Sequence, residues 1–286
     1  MKKLGIVLFS TAILLTGCAA NQNAKTTASS SEAKTVLSAS DQKALDKATT
    51  EYKAFVQKEI DQLLTDTAKF RDTLKEGKLD EAKKMYPLIR MSYERSEPIA
   101  ESFGESDVKI DFRLADYLDE NKTEEGWSGF HRIEKILWES NTTAGTEKYA
   151  DQLVNDIKEL KAKIATVEVT PDIMLTGAVD LLNEVATSKI TGEEEIFSHT
   201  DLYDFRANIQ GAEKIFELFK PLIAKKDEKL VKSIETEFKN VNSLLDKQMT
   251  DSENYKLYTE LSKEDTKELG EAVTKLGEPL SQMGII

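Results

Sequence analysis

The chain predicts an all-α fold of two packed antiparallel four-helix bundles, on three observations. Beyond Val36 the apolar residues recur at spacings of three and four along nearly the whole sequence, the period of a helix with one buried face. The 286 residues include only 13 glycines and 5 prolines, against roughly 20 and 14 at average usage, so turns are few and regular elements long. Capping and breaking residues divide the pattern into four helical stretches on each side of Val169, and short connections favour antiparallel neighbours.

The N-terminus stands apart from that pattern. Lys2 and Lys3 precede an apolar run over residues 4–15, too short for a stable membrane span and the right size for an export-signal core. Residues 1–17 are therefore expected to be a signal peptide. The run ends in Leu15-Thr16-Gly17-Cys18, which resembles the lipobox of bacterial lipoproteins, where the thiol accepts diacylglycerol. The simpler alternative is a soluble secreted protein with an incidental thiol, but Cys18 is the single cysteine of the chain. Acyl chains contribute about 0.8 kcal/mol per buried methylene, enough for an anchor without a membrane span. Residues 18–35 are, after Cys18, mostly Ala, Ser, Thr and Asn without apolar periodicity, so they read as a flexible tether. The helical domain is placed at 36–286.

Within that domain Leu45, Ala48, Tyr52, Phe55, Leu63, Phe70 and Leu74 form one stripe, and Gly77 suits a C-terminal cap. A second helix is expected over 80–103, carrying Tyr86, Ile89, Tyr93 and Ala100, kinked by Pro87 and Pro98 and ended by Gly104. Residues 107–119 read as irregular. Helices follow at 126–139 and 147–165, the latter carrying Tyr149, Leu153, Ile157, Leu160 and Ile164. Thr170-Pro171-Asp172 has the form of an N-cap with proline at the first helical position, opening a helix to about 190. Three more are expected near 201–225, 227–249 and 263–276.

Composition excludes several chemistries. Two histidines and one cysteine cannot build a zinc cluster, a disulfide scaffold or a three-imidazole site. With 52 acidic against 39 basic residues and a net charge of -13, the chain repels phosphate backbones, so no nucleic-acid partner is expected.

Three groups of residues have the chemistry to hold a cation. In Gly129-Phe130-His131-Arg132-Ile133-Glu134, His131 and Glu134 sit three positions apart on one helix and project from the same face. Imidazole nitrogen with carboxylate oxygen suits a first-row transition metal, although in so acidic a chain the spacing also describes an ordinary surface pair. Trp127, His131, Glu134 and Trp138 are expected along the edge of that helix, between core and solvent. Glu94, Glu97 and Glu101 share a face of the second helix, where like charges repel unless a cation compensates; the bland alternative is a solvated acidic face. Asp111 is placed to add an oxygen or to cap a helix. Glu194, Glu195 and His199, in Gly192-Glu193-Glu194-Glu195 and Ser198-His199-Thr200-Asp201, either complete the site from the second half or form a solvated loop with a helix cap.

Several blocks resemble a known family. YERSEPIAESFG, WSGFHRIEKILWES, KYADQLVNDIKEL, KITGEEEIFSHTDLYDF and ANIQGAEKIFELFKP are similar to segments of the imelysin-like domain of EfeO and EfeM iron-uptake lipoproteins, over roughly 40–286. The GxHxxE signature of the wider imelysin family is met by Gly129, His131 and Glu134. The resemblance implies a two-bundle helical fold and a metal site near that helix, with His131 and Glu134 carried over directly and Glu94, Glu97 and Asp111 by motif block. It further implies iron as the ligand, Fe(III) favoured over zinc or copper, an Efe-type permease and a haem peroxidase as partners, and an extracytoplasmic, lipid-anchored location. EfeO proteins usually carry a cupredoxin domain before this one; residues 19–35 cannot form it, so the chain is more similar to the short EfeM form.

Two other functional classes stand beside iron capture. Imelysin was named as a peptidase, but HExxH is absent and HxxE supplies two ligands without an adjacent general base, so an enzyme is not the expectation. A polymer-binding lipoprotein would use Trp127, Trp138 and the tyrosines as stacking platforms; core packing is the simpler role for those rings.

Overall fold

The computed structural model describes residues 37–285. The expected signal peptide, Cys18 and tether lie outside the described residues, as does the side chain of Glu101. Among the described residues the secondary structure is helical throughout, apart from one isolated bridge between Met249 and Tyr255. The all-α class is therefore as expected.

The helices begin and end where local chemistry dictates. The first, α1 (Ala39–Lys75), starts at Ser38, whose side chain accepts from the Asp41 amide, and ends before Gly77 at φ 74. It buries Tyr52, Val56, Ile60, Leu63, Phe70 and Leu74 along one face. Helix α2 (Leu79–Glu94) keeps Pro87 in its interior. The expected single helix over 80–103 is interrupted: residues Glu97–Phe103 form a 3-10 segment, with Ile99 at φ -115 and ψ 17. Pro98 causes the break, because it lacks a donor and its ring excludes the preceding turn.

The stretch expected to be irregular holds two short helices, α3 (Glu105–Asp111) and α4 (Leu114–Asn121), separated by extended Phe112. Their few turns lack a clean apolar period, which is why the pattern hides them. Helix α5 (Phe130–Glu139) begins later than expected, after Gly129 at φ 88. Then come α6 (Glu147–Thr166) and α7 (Pro171–Thr187), whose Thr170 accepts from the Ile173 amide as the Thr-Pro-Asp sequence predicts. A 3-10 turn at Lys189–Thr191 leads through a loop to α8 (Asp201–Lys226). Helices α9 (Glu228–Asp246) and α10 (Lys263–Ser281) are capped by Asp227 and Ser262.

One continuous core serves the long helices and most of the short ones, while α4 buries no residue. Helices α7, α8, α9 and α10 pack in a closed ring of neighbours. On the other side α1 lies against α2, α6 and α8, and α2 also packs on α8. The buried α8 thus serves both sides, and the first half contributes the short α3 and α5 where a bundle of long helices would have none. Close approach needs small residues here. A Cβ on Gly177 would lie 1.7 Å from the Pro98 carbonyl oxygen, and one on Gly211 would lie 2.6 Å from that of Arg95. The first contact pins the 3-10 segment against α7, and the second sets the end of α2 against α8.

Candidate metal site

Helix α5 is sunk into the protein rather than laid on its surface. Phe130, Ile133 and Leu137 face the core as the periodicity predicts. His131 and Glu134 are also buried, at 2% and 0% exposure, so the edge position expected for them is corrected. Gly129 explains how. At φ 88 its backbone lies in the left-handed region, and a Cβ there would stand 2.3 Å from the Ile110 carbonyl oxygen. Only glycine permits that approach, and it sets the start of α5 against the end of α3, next to Asp111. Trp127 is buried too, its indole nitrogen donating to the Phe112 carbonyl at 2.7 Å. Trp127 is therefore a packing residue, while Trp138 remains half-buried.

The buried pair meets groups from both halves of the chain. Glu134 Oε1 accepts from the amides of Phe197 and Ser198 at 3.0 and 2.7 Å, and its Oε2 lies 3.1 Å from His131 Nδ1. His131 Nε2 is 3.5 Å from Asp111 Oδ1 and has no hydrogen-bond partner. Arg90, fully buried on α2, touches Asp111 and Glu195 and lies 2.5 Å from Glu94, 3.5 Å from Asp204 and 3.8 Å from Glu194. Lys189, from the 3-10 turn, donates to Glu94 at 3.0 Å and to Glu97 at 2.8 Å. Asn208 of α8 donates to the same two carboxylates at 2.9 and 2.6 Å.

Buried carboxyls outnumber buried cations several-fold in this cluster, and the charges adjust accordingly. Burial works against ionisation of Glu94, but Lys189 and Arg90 outweigh it and hold its carboxyl well below the usual range. Burial also opposes ionisation of Glu134, and its bond to His131 overcomes that and lowers it. Burial pushes Asp111 up to about 6 against the pull of Arg90, with the Glu94 charge adding to the rise. Burial likewise lifts Asp201 to about 6 and raises Glu97, Glu195 and Asp204 well above the carboxylate range. Asp201 Oδ2 and both Asp204 oxygens are buried without a hydrogen-bond partner, Asp204 Oδ1 facing Arg90 at 3.5 Å, while Glu195 Oε1 is paired with Arg90. Uncompensated buried acceptors are costly, and either protons or a cation would satisfy them.

Two overlapping groups have their donor atoms within 4.8 Å of one another: His131, Glu134 and Glu195, and Asp111, His131 and Glu194. Their imidazole nitrogen and carboxylate oxygens match the preferences of a first-row transition ion. His131 Nε2 has no hydrogen-bond partner and is free to serve such an ion, whereas Glu195 Oε1 is held by Arg90. Of the residues singled out in the sequence, His131, Glu134 and Asp111 fall in these groups. Glu194 and Glu195 join them from the loop before α8. His199, half-buried at φ 59, belongs to neither group. Glu94 and Glu97 form an adjoining lobe, already paired with Lys189 and Asn208.

Arg90, Lys189, Asp204 and Asn208 do not stand out in the sequence, and Asp201 appears there only as the end of the Ser198-His199-Thr200-Asp201 block. Arg90 carried a signal, being four residues before Glu94 on one helix face. Asp201, Asp204 and Asn208 repeat the three-and-seven spacing of Glu94, Glu97 and Glu101. Lys189 carried none.

An all-helical protein with an internal acidic and imidazole cluster is the class that this architecture defines. The family model of imelysin, peptidase M75, matches residues 48–283. An Efem/EfeO family lipoprotein of Staphylococcus haemolyticus is 50% identical over 287 residues, covering 100% of this chain and 99% of that protein. An Efem/EfeO family lipoprotein of Staphylococcus aureus is 52% identical over 243 residues, 85% of each chain. The chain belongs to the imelysin family and, within it, to the Efem/EfeO lipoproteins.

Proposed function

We propose that this protein is a lipid-anchored, extracytoplasmic iron-binding component of an Efe-type uptake system that captures iron and passes it to a permease. The observation that carries the reading is the convergence of His131, Glu134, Asp111, Glu194 and Glu195, from α5, α3 and the loop before α8, with His131 Nε2 left without a hydrogen-bond partner. Carboxylates in excess, with one imidazole, favour a hard trivalent cation. The lipoprotein relatives support anchoring through Cys18, and no helix among the described residues is long and apolar enough to cross a membrane.

In this reading Glu134 is fixed by two backbone amides and orients His131, so that both donors are held in place before the ion arrives. Arg90 and Lys189 neutralise part of the cluster in the metal-free protein and keep its carboxylates from repelling one another. The net worth of such buried pairs is small. An entering ion therefore exchanges one set of counter-charges for another, and binding stays reversible.

Titration calorimetry of the metal-free protein with Fe(III) chelates, Fe(II), Zn(II) and Cu(II), repeated on His131→Ala, tests this. Fe(III) affinity is expected to fall at least about 100-fold in the variant, beyond the 10- to 100-fold that follows loss of an outer-shell group. Equal affinity in both proteins would refute it. The peptidase name of the family motivates a second reading, metal-dependent proteolysis. Chelator-sensitive release of fragments from a denatured substrate would favour it; bound metal without turnover would reject it.

A further inference from the structure

A cleft of about 420 Å³ opens on the surface beside the cluster, between α2, α5, the loop before α8 and the segment after α9. That is the size of a small-molecule site. Its floor is Ser198 and Thr200, whose hydroxyls are hydrogen-bonded to each other at 2.8 Å. Behind them the Ser198 hydroxyl donates to Glu195 at 3.1 Å, and its amide donates to Glu134. One residue thus separates the cleft from two of the candidate ligands.

The walls differ in character from the rest of this acidic chain. Lys83 and Lys84 lie on one side, with Asp80 the single acid among the lining residues. Lys83 donates to Asn141 at 2.7 Å and sits over the Trp138 ring, 5.5 Å from its centroid. Lys84 is exposed and has neither a hydrogen bond nor an ion pair. Tyr203, packed edge-on against Tyr255 at 5.1 Å between centroids, forms the opposite wall. Two ammonium groups, flat rings and a hydroxyl floor fit a compact anion that carries several oxygens.

We propose that this cleft docks the chelator that delivers the metal: a small polycarboxylate complex of ferric iron, whose outer carboxylates pair with Lys83 and Lys84 above the Ser198–Thr200 floor. The inference rests on the iron-binding reading and adds the form in which the cargo arrives. Transfer is ligand exchange without redox change: protein carboxylates replace chelator oxygens on the ion, and the freed chelator leaves with its negative charge. Lys84, having no internal partner, serves the ligand alone.

The test uses the full metal-free chain in detergent, with citrate alone as probe, read by calorimetry and by tryptophan fluorescence, since Trp138 lines the cleft. Saturable binding is expected, weakened about tenfold in Lys83→Ala/Lys84→Ala, given a modest contribution from each exposed ion pair. Lys84→Glu, which leaves the Lys83–Asn141 bond in place, is expected to weaken citrate at least as much. Uptake of Fe(II) supplied without chelator, under anaerobic conditions, is expected to be unchanged in both variants. No saturable citrate binding, or equal binding in wild type and variants, would overturn the proposal, as would an equal loss of citrate and Fe(II). If the wild type binds neither form of iron, the proposed function fails while the citrate titration still decides the cleft.

Discussion

Mild acid is expected to stabilise the metal-free protein. Asp201 is buried at the start of α8; its Oδ1 accepts from the Glu195 amide at 3.2 Å, while its Oδ2 has no partner. Burial lifts its pKa from 3.8 to about 6, so between those values the folded state binds more protons than the unfolded one. Stability then falls as pH rises: the contribution is complete below 3.8 and lost as pH passes about 6. A shift of about two units at 1.36 kcal/mol each gives roughly 3 kcal/mol. For a chain of this size that is about 6–12 °C in melting temperature. Glu94 and Glu134, whose carboxyls are held low, act in the opposite sense as pH drops through the ordinary carboxylate range. The useful window therefore runs from about pH 4.5 to 6.5. Circular-dichroism melts of chelator-treated protein across that window, beside Asp201→Asn, provide the assay. The variant keeps an oxygen for the Glu195 amide and loses the titration, so its melting temperature should vary less with pH and exceed the wild type's at pH 7. A wild-type melting temperature that is flat or rises with pH would refute the reasoning.

Three further outcomes follow from the same geometry. Gly129→Ala should destabilise by about 3 kcal/mol in urea unfolding, from left-handed strain and overlap with the Ile110 carbonyl, and should weaken metal binding because α5 can no longer approach Asp111. Arg90→Met should cost the metal-free protein about 3–5 kcal/mol at neutral pH, since it leaves carboxylates without their counter-charge; saturating metal should recover part of that in the same unfolding experiment. Glu134→Ala strips the acceptor from two amides, at about 1–3 kcal/mol each, and hydrogen exchange at Phe197 and Ser198 should accelerate selectively.

Legibility in the sequence tracked the length of each element. Long helices such as α1, α6 and α8 announce themselves because many turns repeat one apolar face, and caps such as Thr170 with Pro171 mark their starts. The short α3 and α4 were missed because so few turns show no period. Pro98 marks a disruption in the sequence, and its effect is larger than a kink, a change of helix type at Glu97–Phe103. At the site, the local pair His131 and Glu134 was legible from spacing, while its burial was not: helical phase gives a direction, and only the approach allowed by Gly129 gives depth. Lys189 meets Glu94 across 95 residues of sequence, a contact that no local pattern encodes.

The cluster is assembled almost entirely from parts far apart along the chain. Glu134 waits for amides 63 and 64 positions downstream, and Glu94 for Asn208, 114 positions away. Until α8 has docked there is no cage, only scattered acids and one imidazole in open solvent. Under the proposed function, a chain exported in extended form would therefore cross without metal and take its first ion on the side where it folds.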